Sequence, residues 1–348
     1  MKHIAIKTSL FLNYFVFAVL LNSVGTVILQ VQSNFDISKA DASVLEGFKD
    51  LPIAITSFIA ASFLPRLGLK NAMLIGLAAV AVICSVVPMA DDFWYFKLLF
   101  LVIGISFALI KVSAFATIGL ITETNREHSS FMNMLEAIFM AGILIGNFLI
   151  SYFVDDFNPK SLDWLYVYWM LSGLTILAFL LLFFTKLDEK ASVAENKKLL
   201  ESFKDMLALV VKPLIVVFII AVFLYVLIEQ SFQTWFPTFY KDILSAPSSM
   251  AIQAGAVLAG ATFLGRLVSS YVLLKIKWIY FLSACLIIVA TIILLALPLA
   301  KSASLDLEAI SWFKAPLVVY LLPIMGLFLA PIYPTINSRI LSSLPKPL

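Results

Sequence analysis

The sequence predicts an all-α integral membrane protein built from two bundles of transmembrane helices. Of its 348 residues, 62% are hydrophobic and only 13% are charged, against roughly 25% charged in soluble domains. Apolar runs of about 20 residues, the length that crosses a bilayer, recur along the whole chain. The segment 61–67 (ASFLPRL) also returns as 261–267 (ATFLGRL), near the end of an apolar run in both places. Such a repeated segment indicates an internal duplication, which is typical of the two halves of secondary transporters.

Ten transmembrane helices are predicted from the apolar runs. Their approximate bounds are 9–31, 43–64, 71–90, 97–120, 130–153, 163–185, 213–236, 249–274, 278–299 and 315–342. The first run is too long for the apolar region of a signal peptide, and no small-residue cleavage site follows it. We therefore interpret it as a span.

A polar stretch at 186–212 divides these spans into six and four. We expect an N-terminal six-helix bundle at 1–185, a cytoplasmic linker at 186–212, and a C-terminal bundle at 213–348 with four spans present. Residues 199–210 of the linker are predicted to form an amphipathic surface helix. Ten spans stop short of a twelve-span plan, so we expect that the chain is truncated at its C-terminus.

The charges of the loops alternate in sign along the chain. The basic loops carry Lys2, Lys7, Arg66, Lys70, Arg126, Lys275, Lys277, Arg339 and Lys346, together with the lysines of the linker. The acidic loops carry Asp36, Asp41, Asp91, Asp92, Asp155, Asp156, Asp163, Asp242, Asp306 and Glu308. Because basic loops stay on the cytoplasmic side, we expect a protein of the plasma (bacterial inner) membrane with a cytoplasmic N-terminus and linker.

Few residues are suited to enzyme chemistry or metal binding. His3 and His128 lie in polar segments, and Cys84 and Cys285 lie inside apolar runs. The chain has no HExxH or GxSxG motif. We expect neither enzyme activity nor a metal or cofactor. The net charge of +3 follows the loops, so no nucleic-acid partner is expected. The expected partners are a small-molecule substrate, protons and the lipid bilayer, and the protein is expected to be monomeric.

Ionisable residues inside the spans are the first functional candidates, because a charge at mid-depth costs at least about 2.5–3.5 kcal/mol on insertion scales. Counting along the helices places Asp50 and Glu229 in an outer layer, and Lys111, Glu136 and Arg266 in an inner layer. Pairs of charges that form on one side of a site as others break on the other side would serve alternating access.

Two interpretations of these charges are open. In the structural one, Lys111 pairs with Glu136, while Lys49, Arg66 and Arg266 hold helices or gates together. In the functional one, a carboxyl group in apolar surroundings favours its protonated form. The candidates for proton coupling are Glu229, Glu136 and Asp50. No basic residue lies within four positions of Glu229, so we expect it to be unpaired unless Lys49 reaches it.

Polar and aromatic side chains near these charges are the candidate substrate-binding residues. They are Asn22, Gln30, Lys111, Gln230, Gln233, Trp235, Tyr333 and Asn337. Amides hydrogen-bond a polar solute, and an indole offers it a face for stacking. Trp235 is equally suited to the aromatic belt at the membrane surface. Pro331 and Pro334 predict a kink or break in the last span.

Four segments carry a more specific pattern. They are Gln30-Val-Gln32 with Phe35, Tyr225-Val226 before Glu229-Gln230, Gly265-Arg266-Leu267, and Tyr333-Pro334-Thr335-Ile336 with Ser338. With these segments, residues 9–342 resemble the major facilitator superfamily and, within it, the fucose-permease-like sugar/proton symporters. The resemblance implies a major-facilitator-type two-bundle fold and transport of a small polar solute through a cavity at mid-membrane.

The chain departs from this family pattern at three positions. Pro65 stands where the superfamily's loop motif, here 66–70, carries an acid. Gly25 and Lys111 stand where fucose permeases carry an acid in the first span and a glutamate in the fourth. Because a lysine for a glutamate reverses the local charge, the resemblance does not extend to fucose as the substrate.

The leading prediction is a secondary active transporter that moves a small polar solute by alternating access, coupled to protons. The solute is a sugar, a sugar acid or another organic anion. An unpaired Lys111 favours an anion, whereas a Lys111 neutralised by Glu136 favours a sugar. The alternatives are an efflux pump for amphipathic compounds, whose cavity would hold few charges, and a membrane receptor without transport activity.

Overall fold

The computed structural model describes residues 4–122, 125–187, 189, 213–273, 275–302, 312 and 315–336. All regular structure in this part of the chain is helical. The chain divides into two compact units, unit 1 at Met1–Phe203 and unit 2 at Lys204–Leu348. Most of the linker, including the helix predicted at 199–210, lies outside the described residues.

The described residues of unit 1 form six spans built from seven α-helices. They are α1 (Ile4–Asn22), α2 (Val24–Asn34), α3 (Lys39–Leu67), α4 (Leu69–Val86), α5 (Trp94–Ile121), α6 (Asn125–Tyr152) and α7 (Val167–Phe184). Helices α1 and α2 form the first span and are separated only at Ser23. The Ser23 hydroxyl donates a hydrogen bond to the Leu20 carbonyl at 2.7 Å. The side chain thus bonds to the backbone of its own helix, which is common where serine bends a helix.

Unit 2 contains the helices α8 (Pro213–Leu244), α9 (Ser248–Val272), α10 (Trp278–Ser302) and α11 (Leu317–Leu329). After α11 the chain turns at Ala330 and Pro331, and helical structure resumes over 332–336. The predicted break in the last span is therefore confirmed. Its cause is that Pro331 has no amide hydrogen for the carbonyl four residues before it.

Nine helical segments of the described chain are long and apolar enough to cross a membrane, and they match nine of the ten predicted spans. The remaining predicted span, 43–64, is also helical and lies within α3. It is less apolar than the others because its first half carries Glu46, Lys49 and Asp50.

Small residues allow the helices to approach closely. A Cβ at Gly142 of α6 would lie 2.7 Å from the Ala18 Cβ of α1, and one at Gly146 would lie 2.8 Å from Val19 Cγ1. Helix α5 meets α3 in the same way, with Gly104 against the Lys49 carbonyl. Small residues are expected at such crossings because lipid provides no hydrophobic drive between helices, so that close packing must hold them together.

Candidate functional site

An ion pair between Glu229 and Arg266 lies in unit 2. The Arg266 Nη2 atom is 3.9 Å from the Glu229 Oε1 atom, and the two side chains are 33% and 19% exposed. The prediction that Glu229 has no basic partner is wrong, and so is its assignment to a different layer from Arg266. Helices α8 and α9 are neighbours in the unit. The predicted layers were assigned from the depths of the backbone positions. The long arginine side chain reaches across the difference in depth between the two backbone positions.

Two tyrosines complete this cluster. The rings of Tyr225 and Tyr333 stack with their centres 6.1 Å apart and their planes 18° from parallel. The Tyr225 hydroxyl donates to the Leu329 carbonyl at 3.1 Å, and it also lies beside the Glu229 carboxyl group. Tyr225 therefore links the charged pair to the last turn of α11, directly before the helix break.

The helix break is itself packed against α9. Pro331 cannot donate to the carbonyl of Leu327, its partner in a continuous helix. That carbonyl lies against Gly265, where an added Cβ would collide with it. Gly265 precedes Arg266, so the glycine, the arginine and the broken helix form one local structure within unit 2.

Lys111 lies in α5 of unit 1, with its side chain exposed. Its Nζ atom is 5.7 Å from the ring centre of Phe107 and 5.9 Å from that of Phe115. Among the residues that the structure describes, Lys111 forms no ion pair with a carboxylate. The predicted pair between Lys111 and Glu136 is therefore wrong. Both side chains are exposed, and a similar depth in neighbouring helices does not make two side chains point at each other.

Aromatic rings surround the Lys111 position. Tyr14 of α1 contacts Phe115 at 6.5 Å and Phe139 of α6 at 6.2 Å between ring centres. Phe139 in turn contacts Phe107 at 6.2 Å. Glu136, one turn before Phe139, is close enough to act electrostatically on Tyr14. Sequence reasoning selected Lys111 but missed these rings, although Phe107 and Phe115 lie four residues to either side of it on the same helix face.

The amides predicted to bind substrate have different environments. The Asn22 Nδ2 atom donates to the Ala18 carbonyl of its own helix at 2.9 Å. Gln30 is buried, and its Nε2 atom has no hydrogen-bond partner within the described chain. Gln230 and Gln233 are partly buried on α8, and Asn337 lies outside the described residues.

Trp235 lines an apolar cavity of about 320 Å³ in unit 2. The lining consists of residues of α8 between Leu227 and Phe239, together with Ile293 of α10 and Leu322 of α11. The one hydroxyl in this lining, that of Ser231, donates to the Leu227 carbonyl at 2.6 Å. Trp235 therefore lies among apolar side chains, in a lining that does not include Glu229.

The other charged residues predicted for the site are Lys49, Asp50 and Arg66. The Lys49 Nζ atom lies 3.4 Å from Asp50 Oδ1, with the lysine side chain buried and the aspartate half exposed. The side chain of Arg66 lies outside the described residues. Within the described chain, no group of three or more histidine, cysteine, aspartate and glutamate residues is placed to hold a metal ion.

A further charged connection joins the end of α7 to the start of α4. The Glu189 carboxylate accepts hydrogen bonds from the amides of Leu69 and Lys70, each at 2.8 Å. The Lys70 ammonium donates to the carbonyls of Phe183 and Thr185 at 2.8 and 2.7 Å. Each charge thus meets the helix terminus of opposite polarity. Sequence reasoning missed this connection because its partners lie more than 110 residues apart.

A second contact holds the same segment in place. Leu187 packs on a buried apolar cluster that includes Leu64 of α3, Leu69 of α4 and Leu109 of α5. The first residues after α7 are therefore fixed to unit 1 by an apolar contact as well as by Lys70 and Glu189.

Helices long and apolar enough to cross a membrane, arranged in two units and carrying charges within them, are typical of an α-helical membrane transporter. The chain belongs to the Major Facilitator Superfamily, whose family model matches residues 10–348. The predicted family and the predicted fold class are confirmed.

Three solved structures show the same fold. A D-xylose-proton symporter is 14% identical, with a TM-score of 0.66 over 95% of this chain and 80% of that one. The transporter FucP in an outward conformation is 17% identical, with a TM-score of 0.64 over 97% and 84%. A bacterial homologue of the human lysosomal transporter Spinster is 15% identical, with a TM-score of 0.66 over 96% and 76%. The comparison with curated proteins finds no match.

Proposed function

We propose that this protein is a secondary active transporter that moves a small organic anion across the cytoplasmic membrane by alternating access, coupled to protons. The observation that carries the proposal is Lys111, an exposed cation within a span that has no carboxylate partner among the described residues. A charge at this depth is costly, and an anionic solute would supply the missing partner.

The aromatic contacts support a binding role for the Lys111 amine. Interactions with the faces of Phe107 and Phe115 stabilise an ammonium group, but by only about 0.5–2 kcal/mol. A ring face also leaves the three N–H donors of the ammonium without an oxygen acceptor. A carboxylate accepts such hydrogen bonds strongly, so an anionic solute is favoured over a neutral one.

For coupling, we propose Glu229 as the carboxyl group that exchanges the proton. Its support is its position beside Arg266 and Tyr225, at the break of the last span. Protonation of Glu229 would remove the attraction that holds Arg266 beside it. Because Tyr225 contacts both Glu229 and the Leu329 carbonyl, a movement of the carboxyl group would also shift the end of α11. Glu136 and Asp50 remain the alternative coupling groups.

A sugar–proton symporter is the second candidate function. It is favoured by the fold shared with structures described as a D-xylose-proton symporter and a fucose:proton symporter. In such a protein Lys111 would serve structure only, and Gln230 and Gln233 would meet the sugar hydroxyls. Replacing Lys111 by methionine would then leave the choice of solute unchanged.

The proposed orientation places the N-terminus and the linker in the cytoplasm, with the protein in the inner membrane. The alternating charges of the loops support it. Labelling of the single-cysteine variants Asp36→Cys and Lys277→Cys in intact cells tests it, because both positions are exposed. A membrane-impermeant reagent should modify the cysteine at position 36 and spare the one at position 277.

The transport experiment uses the protein in proteoliposomes. Labelled glucuronate and labelled fucose are offered with and without an inward proton gradient. We expect gradient-driven uptake of the anion, loss of that uptake in Lys111→Met, and its partial retention in Lys111→Arg. Uptake of fucose alone, unchanged in Lys111→Met, would replace the anion proposal by sugar symport. Absence of any gradient-driven uptake of either solute would count against both.

A further inference from the structure

The chemistry around Lys111 narrows the class of anion, and this step rests on the proposed function. Phe107 and Phe115 lie one turn to either side of the lysine. Tyr14 and Phe139 connect their rings into a continuous aromatic surface. Phe115 and Phe139 are the partly exposed members of this surface, whereas Tyr14 and Phe107 are buried.

The four rings of this surface carry a single hydroxyl group, that of Tyr14. This hydroxyl is buried and has no hydrogen-bond partner among the described residues. A solute that is held against Lys111 therefore meets one ammonium group and several ring faces.

This arrangement discriminates between two kinds of organic anion. A sugar acid carries several hydroxyl groups, and each one that loses water without gaining a partner costs about 1–3 kcal/mol. An aromatic acid places a carboxylate on the amine and needs no further hydrogen bonds. Its ring also gains about 0.5–1.5 kcal/mol from each well-placed aromatic contact.

We propose that the anion accepted at Lys111 is an aromatic carboxylate, with its carboxylate group against the amine and its ring against Phe115 and Phe139. In this site Lys111 binds the carboxylate, and the two phenylalanines favour a solute with a flat apolar ring. The buried rings of Phe107 and Tyr14 contact Phe139, and Tyr14 also contacts Phe115.

Equilibrium binding to the whole protein in lipid nanodiscs tests the proposal, because a binding measurement is not disturbed by passive permeation of weak acids. The probes are 4-hydroxybenzoate, its uncharged analogue 4-hydroxybenzamide, glucuronate and fucose. We expect 4-hydroxybenzoate to bind at least about tenfold more tightly than each of the other three, which corresponds to about 1.4 kcal/mol.

Variants separate the roles of the charge and the rings. Lys111→Met should weaken 4-hydroxybenzoate binding by about tenfold or more. Phe115→Leu should weaken it by about two- to tenfold, and Phe115→Tyr, which retains a ring, should restore it. The matched control is Lys97→Met. Lys97 also lies over aromatic rings, at 4.9 Å from Phe93 and 5.9 Å from Trp94, and its loss should leave binding unchanged.

The outcomes distinguish this inference from the function on which it rests. If glucuronate binds as tightly as 4-hydroxybenzoate and depends on Lys111, the aromatic preference is wrong and the organic-anion transporter stands. If fucose alone binds and Lys111→Met does not affect it, both are wrong. If Phe115→Leu leaves 4-hydroxybenzoate binding intact while Lys111→Met abolishes it, the rings do not select the solute and the inference fails.

Discussion

The guanidinium group of Arg266 lies 3.9 Å from the carboxylate of Glu229 in unit 2. Tyr225, which lies beside this carboxyl group, is anchored to the Leu329 carbonyl at the end of α11. The pair is partly exposed and its separation is long for a salt bridge. It is therefore a weak contact that a change of protonation state is able to open, in contrast to a fully buried, well-bonded pair.

Glu229→Gln fixes the side chain in a form that resembles the protonated acid. We expect this variant to retain exchange of labelled solute across proteoliposomes and to lose accumulation driven by a proton gradient. Exchange needs only the binding site and the conformational change, whereas accumulation needs the proton cycle. Asp50→Asn, a change at a half-exposed carboxylate beside Lys49, serves as the comparison. If Asp50→Asn loses accumulation while Glu229→Gln keeps it, Asp50 is the coupling group.

The pair should also be measurable as a coupling in stability. Arg266→Met leaves the Glu229 carboxylate in the span without its partner, so thermal unfolding of the purified protein should occur at a lower temperature. The double variant Glu229→Gln/Arg266→Met should regain part of this loss, with an interaction energy of about 0.5–3 kcal/mol. Effects that add to within about 0.5 kcal/mol would indicate that the two side chains act independently.

The sequence predicted the helices well because each span is encoded locally. An apolar run long enough to cross a bilayer specifies a helix by itself. Each span in the described part of the chain was predicted from such a run. Pro331 marked the break in the last span for an equally local reason, the loss of one amide hydrogen. Family membership followed from short motifs such as Gly265-Arg266 and Tyr333-Pro334, together with the count of spans.

The contacts between side chains could not be predicted in the same way. Depth along a helix follows from counting residues, whereas pairing also depends on the direction of each side chain around its helix. Lys111 and Glu136 were therefore paired wrongly, and Arg266 was not assigned to Glu229. The contact between Glu189 and the first turn of α4 depends on how the ends of α4 and α7 pack, which no local pattern records.

Removal of the Glu189 carboxylate should destabilise unit 1. In Glu189→Ala, the amides of Leu69 and Lys70 lose their acceptor at the start of α4, a loss of capping worth about 0.5–2 kcal/mol. The unfolding temperature of the purified protein should fall accordingly. Asp91→Ala, which removes an exposed loop carboxylate, is the matched control and should leave that temperature unchanged. An equal effect of both changes would mean that net charge, not the contact with α4, determines the result.

The crossing of α9 and α11 should tolerate no side chain at Gly265. A Cβ there collides with the Leu327 carbonyl, and backbone yields less readily than the end of a flexible side chain. We expect Gly265→Ala to destabilise the protein by about 1–3 kcal/mol and to reduce transport, since it pushes the broken helix away from Arg266.

Gly173→Ala in α7 is the control, because nothing lies within 4 Å of its added Cβ. Alanine is the better helix former by about 0.5–1 kcal/mol, so this variant should be as stable as the parent or more so. The two changes add the same methyl group to a helix and should shift the unfolding temperature in opposite directions. Equal shifts would show that the approach of Gly265 to Leu327 does not hold α9 and α11 together.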